Sequence, residues 1–167
     1  DARAPFFTEQ DEKRLLHELS EMSNPNHLRL TKLALVTGFR RSELLSLNCR
    51  DIDLQNNILH VQRKECAARG SSSSMRMIPL SHKAKELLKS FKSKEGSVIN
   101  LTKGSARNWF DRARKKAGLE NLRFHDLRHI AISRMWSSGM NALEISACSG
   151  HRDIKMLMRY SHYQLSF

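Results

Sequence analysis

The residues of this sequence that could do chemistry are one tyrosine, two arginines and two histidines in a strongly basic chain: Arg40, His125, Arg128, His151 and Tyr160. A phenol acts as a nucleophile when a neighbouring group takes its proton. Guanidinium and imidazole groups stabilise the negative charge that develops on a phosphate under attack. This combination is what attack on a nucleic-acid phosphate without a metal ion would require.

The charge of the chain points to the same substrate class. Lys and Arg number 29 against 17 acidic residues, which gives a net charge of +12 spread along the whole length. Such a balance favours a cationic surface for a polyanion. Membrane binding is the rival explanation, but no stretch approaches the roughly 20 apolar residues of a spanning helix, and the start shows no signal-peptide pattern. We therefore expect a nucleic-acid partner and no membrane.

Length and cysteine content bound the organisation. The 167 residues suit one domain with a real core. Residues 1–7 are interpreted as the end of a linker, and residues 8–167 as the domain. The three cysteines, Cys49, Cys66 and Cys148, are odd in number and far apart, so they indicate neither a disulfide framework nor a Cys-x-x-Cys zinc site. Reduced thiols in a cytosolic protein are the simpler interpretation.

Hydrophobic periodicity and helix-capping residues predict a mostly α architecture of the α+β class, with helices around one small antiparallel β-sheet. Gly38, Gly118, Gly139 and Gly150 are expected to end helices. The predicted helices are Thr8–Met22, Leu28–Val36, Ser42–Leu47, Ser81–Phe91, Ser105–Gly118, His125–Ser138, Ala142–Ser149 and Asp153–Tyr160. The predicted strands are Ile58–Val61 and Met75–Leu80, joined by a long hairpin, Arg63–Ser74, whose serine-rich tip favours mobility.

Three local patterns carry the chemistry. His125 and Arg128 are three residues apart, which places both on one face of a helix, although a solvated basic face would show the same spacing. Gly150 permits the backbone reversal that would aim His151 toward a cleft. Tyr160 follows nine positions later and would otherwise be taken as a half-buried packing residue. His129 is interpreted as a bystander.

Metal-dependent chemistry is disfavoured by the sequence. Asp51-Ile-Asp53 is interpreted as a turn rather than a pair of metal ligands. His125 and His129 have the spacing of zinc ligands on a helix, but the segment between them lacks the glutamate of the metalloprotease motif and contains a cation, Arg128. We therefore expect no metal and no other cofactor.

Together the motifs resemble the tyrosine recombinase (phage integrase) family, from about Thr8 to His162. The segment Thr37-Gly-Phe-Arg-Arg-Ser-Glu43 is similar to the first arginine motif of that family, His125-Asp-Leu-Arg-His129 to its His-x-x-Arg box, and Ser149-Gly-His151 through Tyr160 to its closing motif. The resemblance implies a catalytic domain of helices around a small sheet, acting on duplex DNA.

The resemblance also implies a role for each residue. Tyr160 would attack the scissile phosphate, become linked to the 3′ end and release a 5′ hydroxyl. Arg40 and Arg128 would hold the non-bridging oxygens, as planar guanidinium groups do well. His125 is the candidate base, because a phenol with a pKa of about 10 needs help with its proton. His151 would donate a hydrogen bond to the phosphate.

Three further assignments depend on the same resemblance. A hairpin lysine would protonate the leaving oxygen, and Lys64 is the best match, although Arg63 and Arg69 lie on the same hairpin. Glu43 would brace the site by pairing with an arginine. Tyr163 is the rival nucleophile, but the family spacing from Gly150 and His151 selects Tyr160. Because the phosphotyrosyl bond is itself an ester, the attack is reversible and needs neither ATP nor metal.

Two other functions stay open at this stage. A type IB topoisomerase would use similar groups, and a DNA-binding module with a decayed active site would explain the charge alone. The family implies an N-terminal DNA-binding domain, absent from this chain, and a homotetramer on DNA in the full-length protein, whereas this chain alone is expected to be a monomer. We expect a cytoplasmic, nucleoid-associated bacterial protein of a mobile element.

Overall fold

The computed structural model describes residues 7–62, 75–91, 95–102, 106–151 and 153–159. Helices dominate these ranges, as predicted. They are α1 (Glu9–Ser20), α2 (Asn26–Thr37), α3 (Arg41–Ser46), α4 (His82–Ser90), α5 (Ala106–Lys116), α6 (Asp126–Ser137), α7 (Ala142–Ser149) and α8 (Ile154–Leu157). The three strands are β1 (Ile52–Asp53), β2 (Ile58–Gln62) and β3 (Met75–Pro79).

The sheet is antiparallel with the order β1-β2-β3. Leu59 pairs with Ile78, and Val61 pairs with Arg76. The turn between β1 and β2 forms because the Asp53 carboxylate accepts hydrogen bonds from two following backbone amides and Asn57 takes a positive φ of 57°. The turn that the sequence predicts at Asn56-Asn57 is confirmed. The segment Asp51-Ile-Asp53, also predicted to be a turn, instead ends a 3-10 helix, Cys49–Asp51, and forms β1, a strand that was not predicted. The predicted hairpin tip, residues 63–74, lies outside the described residues.

The core forms where α2 packs against α6, with the sheet and the remaining helices around them. Leu30 and Leu33 of α2 and Leu127 of α6 are fully buried. A second apolar cluster joins α6 to α7 and α8 through Ile132, Trp136, Ile145 and Leu157. This second cluster matters for the site, because it fixes the segment that carries His151 against the helix that carries Arg128.

The predicted helix ends are mostly confirmed. Thr8 caps α1 through a capping box with Asp11, and Ser81 caps α4. Gly38 ends α2 with a φ of 66°, and Gly150 ends α7 with a φ of 74°. A left-handed backbone of this kind satisfies carbonyls at a helix end and is most accessible to glycine.

Several predicted bounds were wrong by one or two residues. Helix α1 ends at Ser20 rather than Met22, and α3 begins and ends one residue earlier than predicted. His125 is the cap of α6 rather than its first helical residue. Asp153 caps α8 as predicted, but the helix ends at Leu157, and both the predicted end, Tyr160, and the predicted cap of α5, Ser105, lie outside the described residues.

Cys148 is a free thiol, and Cys66 lies outside the described residues. A membrane-crossing helix would have to be longer and more apolar than any helix that the described ranges contain.

Candidate active site

Arg128 lies at the centre of the candidate site. It is on the buried side of α6 and is only 4% exposed. Its Nη1 donates a hydrogen bond of 2.8 Å to the Gly38 carbonyl, and its Nη2 lies 3.2 Å from Nδ1 of His151. A buried cation is costly unless polar groups surround it. These contacts fix the guanidinium between the end of α2 and the end of α7.

The corner between α2 and α3 carries Arg40. The left-handed Gly38 turns the chain there, and it also aims its carbonyl at Arg128. The Glu43 carboxylate accepts a hydrogen bond of 2.9 Å from the Arg40 backbone amide and lies 3.7 Å from the Arg40 guanidinium. The Arg40 side chain stays 46% exposed. Arg40 is therefore held at its base and open to a ligand at its tip.

His151 is held through both its side chain and its backbone. The Ser149 hydroxyl lies 2.7 Å from Nδ1 of the ring, and the Ser146 hydroxyl donates to the His151 carbonyl at 2.7 Å. Ser149 is fully buried. The ring is therefore held at Nδ1, which both Ser149 and Arg128 contact.

The electrostatic field at His151 is strongly positive. Burial is the largest of the effects that lower the pKa of His151 to about 4, and the positive charges of Arg128, Arg40, His129 and Arg76 contribute to the same shift. The imidazole is therefore neutral at pH 7. Arg40 acts on His151 from the corner before α3, whereas Arg128 acts from α6. The structure therefore brings the two predicted arginines and this histidine together.

His125 lies at the rim of the same region. It shares a cavity of about 290 Å³ with Arg128 and Phe39, and its ring meets that of His129 edge to face at 5.0 Å. Partial burial lowers the pKa of His125, and the positive charge of Arg128 lowers it further. A neutral imidazole at pH 7 can accept a proton. His129 was predicted to be a bystander, but its ring contacts that of His125 and its charge acts on His151.

Two residues around the site were missed by the sequence analysis. Arg76 on β3 forms an ion pair with Glu43 at 3.3 Å, so Glu43 does pair with arginines, as expected. Ser149 anchors His151. The sequence gave a weak indication of the role of Arg76, because an arginine within an apolar strand needs a polar or charged partner. Ser149 lies in the closing motif, but nothing in the sequence indicated that its hydroxyl would contact the His151 ring.

Tyr160 and Lys64 lie outside the described residues, as do the alternatives Arg63, Arg69 and Tyr163. The roles of the nucleophile and the general acid therefore stay predictions. Within the described ranges, His, Cys, Asp and Glu side chains form no group of three or more that could hold a metal ion.

Comparison with known proteins places this arrangement in a family. The sequence profile of the phage integrase family matches residues 5–166. The chain belongs to the phage integrase family. This member is 34% identical over 158 residues to the shufflon-specific DNA recombinase of Escherichia coli, covering 93% of this chain and 39% of that protein. It is 29% identical to the tyrosine recombinase XerA of Saccharolobus solfataricus, covering 93% of this chain and 52% of that protein.

Solved structures agree with the sequence comparisons. The catalytic domain of bacteriophage HP1 integrase matches this family member with a TM-score of 0.75 and 29% identity, over 96% of this chain and 89% of that domain. The predicted fold, a mostly helical domain around a small antiparallel sheet, is confirmed. The chain spans about two fifths to one half of the length of the curated relatives.

Proposed function

We propose that this chain is the catalytic unit of a site-specific DNA recombinase that cleaves and rejoins duplex DNA through a 3′-phosphotyrosyl intermediate. The observation that carries the proposal is the convergence of Arg128, Arg40 and a neutral His151 at one place. Several positive groups on different elements create a field there that attracts a phosphodiester. Membership of the phage integrase family supports the same conclusion.

The proposed reaction assigns one step to each group. The Tyr160 oxygen forms a bond to phosphorus as the bond from phosphorus to the 5′ oxygen breaks. His125 accepts the phenolic proton, which its lowered pKa permits at neutral pH. Arg40 and Arg128 stabilise the charge on the non-bridging oxygens, and His151 hydrogen-bonds the phosphate.

Lys64 completes the proposed reaction by giving a proton to the departing 5′ oxygen. Glu43 braces the site through its ion pairs with Arg40 and Arg76. Rejoining runs the same steps backwards, when a 5′ hydroxyl attacks the phosphotyrosyl bond. The new ester replaces the old one, so the cycle needs no external energy source.

The proposed partner is a duplex DNA recombination site. The Tn1549 transposon integrase, similar in fold with a TM-score of 0.73 at 19% identity, was solved in complex with transposon right-end DNA. We propose that residues 8–167 form the catalytic domain and act with an N-terminal DNA-binding domain in a homotetramer, while this chain alone is a monomer. The location that follows is the bacterial nucleoid, where such DNA lies.

Capture on a nicked substrate tests this function. The probe is a duplex library, randomised around a nick placed so that the short fragment carrying the new 5′ hydroxyl diffuses away after cleavage. We expect wild type to become covalently attached to DNA, Tyr163→Phe to behave similarly, and Tyr160→Phe to bind without attachment. A DNA-binding module without chemistry would give no adduct in any variant, and an adduct persisting in Tyr160→Phe would overturn the assignment of the nucleophile.

A further inference from the structure

Arg76 occupies a position in β3 that a charged residue rarely takes. Its side chain is 8% exposed, whereas its neighbours Met75 and Met77 are 51% and 66% exposed. Arginine is almost never buried to this degree unless it is paired. Contacts on two sides of this guanidinium explain why it is buried.

On one side, Arg76 contacts the corner that carries Arg40. Its Nη2 lies 3.3 Å from Oε1 of Glu43, which in turn holds the Arg40 amide. Its guanidinium also lies over the Phe39 ring, 5.6 Å from the ring centre. A planar guanidinium suits this double contact, because it donates along its edge and stacks through its face.

On the other side, Arg76 lies against the backbone that leads into His151. A Cβ atom added to Gly150 would come within 1.5 Å of Nη1 of Arg76 and 2.6 Å of Cζ. The two groups are therefore packed as closely as a glycine allows. Two properties of this position require glycine. The backbone has a φ of 74°, and the Arg76 guanidinium occupies the space where a Cβ atom would lie.

We propose that Arg76 is a positioning residue, which locks the corner of Arg40 and Glu43 to the corner of Gly150 and His151. The proposal rests on the proposed function, because the two corners it joins carry groups assigned to the phosphate. A buried guanidinium has little access to DNA, so Arg76 acts through these neighbours. Its loss should misplace catalytic groups by fractions of an ångström and slow the chemistry more than it weakens binding.

The test compares Arg76→Met and Arg76→Lys with a matched control, Arg134→Met. Arg134 also forms an ion pair with a glutamate, Glu12, and lies 5.9 Å from the centre of a phenylalanine ring, that of Phe7, but neither partner belongs to the candidate site. The measurements are the dissociation constant for the nicked duplex, the single-turnover rate of covalent capture at saturating DNA, and the melting temperature.

We expect Arg76→Met to lower the capture rate by about tenfold to a hundredfold, while the dissociation constant changes by less than about threefold. Arg76→Lys keeps the charge beside Glu43 and should recover part of the rate. The control should capture DNA at the wild-type rate. Wild-type capture by Arg76→Met overturns the proposal. If Arg76→Met does not fold, the test depends on Arg76→Lys alone. A wild-type capture rate in Arg76→Lys would then overturn the proposal.

A second measurement separates this proposal from the proposed function. The His151 ring is followed by NMR during a pH titration of the free protein, where Arg128, Arg40, His129 and Arg76 are the charged groups that act on it. Loss of the Arg76 charge and of the corner it holds should raise the His151 midpoint and shift its resonances in Arg76→Met, but not in Arg134→Met. If wild type captures no DNA, the proposed function fails while this titration still tests Arg76. An unchanged titration together with unchanged capture rejects the positioning role.

Discussion

Arg128 is held in place by contacts on both edges of its guanidinium. One edge of its guanidinium is used by the Gly38 carbonyl, and the other faces His151. Its position was predictable, because three-residue spacing from His125 puts both side chains on the same region of a helix. Its partners were not, since a contact to a carbonyl 90 positions away leaves no mark on local sequence.

Replacement of Arg128 by lysine tests the planar geometry. Lysine keeps the charge but cannot donate to Gly38 and a phosphate oxygen with one rigid fork. We expect covalent capture of DNA by Arg128→Lys to fall by about a hundredfold. Arg114→Lys, which alters an arginine paired with Asp111 on α5, serves as the control. Capture within a few-fold of wild type would show that only charge matters at this position.

His151 predicts how stability depends on pH. Its pKa is about 4 in the folded chain and about 6.5 in an unfolded chain. Between these values the unfolded state binds a proton that the folded state excludes, so acidification lowers the free energy of unfolding. Urea unfolding of His151→Gln should therefore show a smaller loss of stability than wild type between pH 6.5 and pH 4. Equal losses would contradict the lowered pKa.

At the scale of elements, the glycine-ended helices decide where the site forms. Gly38 and Gly150 each reverse the chain directly before a site segment, and the sequence predicted both ends correctly. The short strand β1 was missed, because a strand of two residues has no periodicity to detect. Arg76 was missed because alternation in Met75–Pro79 does not say which face is inward, and the partner on that inward face, Glu43, is 33 residues away.

Gly38 and Gly139 form a matched pair for testing the corner. Both have a positive φ, 66° and 91°, so alanine at either position should cost about 1 kcal/mol or more. Of the two, only Gly38 accepts a hydrogen bond from Arg128 through its carbonyl. It also lies against Ala131 of α6, where an added Cβ would meet a Cβ at 3.4 Å.

We expect similar losses of thermal stability in Gly38→Ala and Gly139→Ala, but reduced DNA capture only in Gly38→Ala. Equal capture rates in the two variants would show that the position of the corner does not control the chemistry.

At the scale of the whole molecule, the net charge of +12 should make DNA binding strongly dependent on salt. Each phosphate neutralised contributes a slope of about −0.9 to the plot of log affinity against log salt concentration. Because the Arg40 side chain is half exposed at the site, Arg40→Ala should make the slope shallower by about one such contribution. An unchanged slope in fluorescence-anisotropy titrations would mean that Arg40 does not contact phosphate.

The fold class and the order of the motifs were predictable for the whole molecule, because helical periodicity and helix-ending glycines are local properties. The convergence of Arg40, Arg128 and His151 was predictable only through resemblance to a family, since no local rule brings three distant corners together. The close packing of Arg76 against Gly150 is a property of the folded molecule alone.

The most direct test of the central claim is to map the atom that becomes attached to DNA. Wild-type adducts formed on the nicked duplex are digested with protease and nuclease, and the nucleotide-bearing peptide is sequenced by mass spectrometry. We expect a single 3′-linked nucleotide on Tyr160. A nucleotide on Tyr163, on a serine or on any other residue would contradict it.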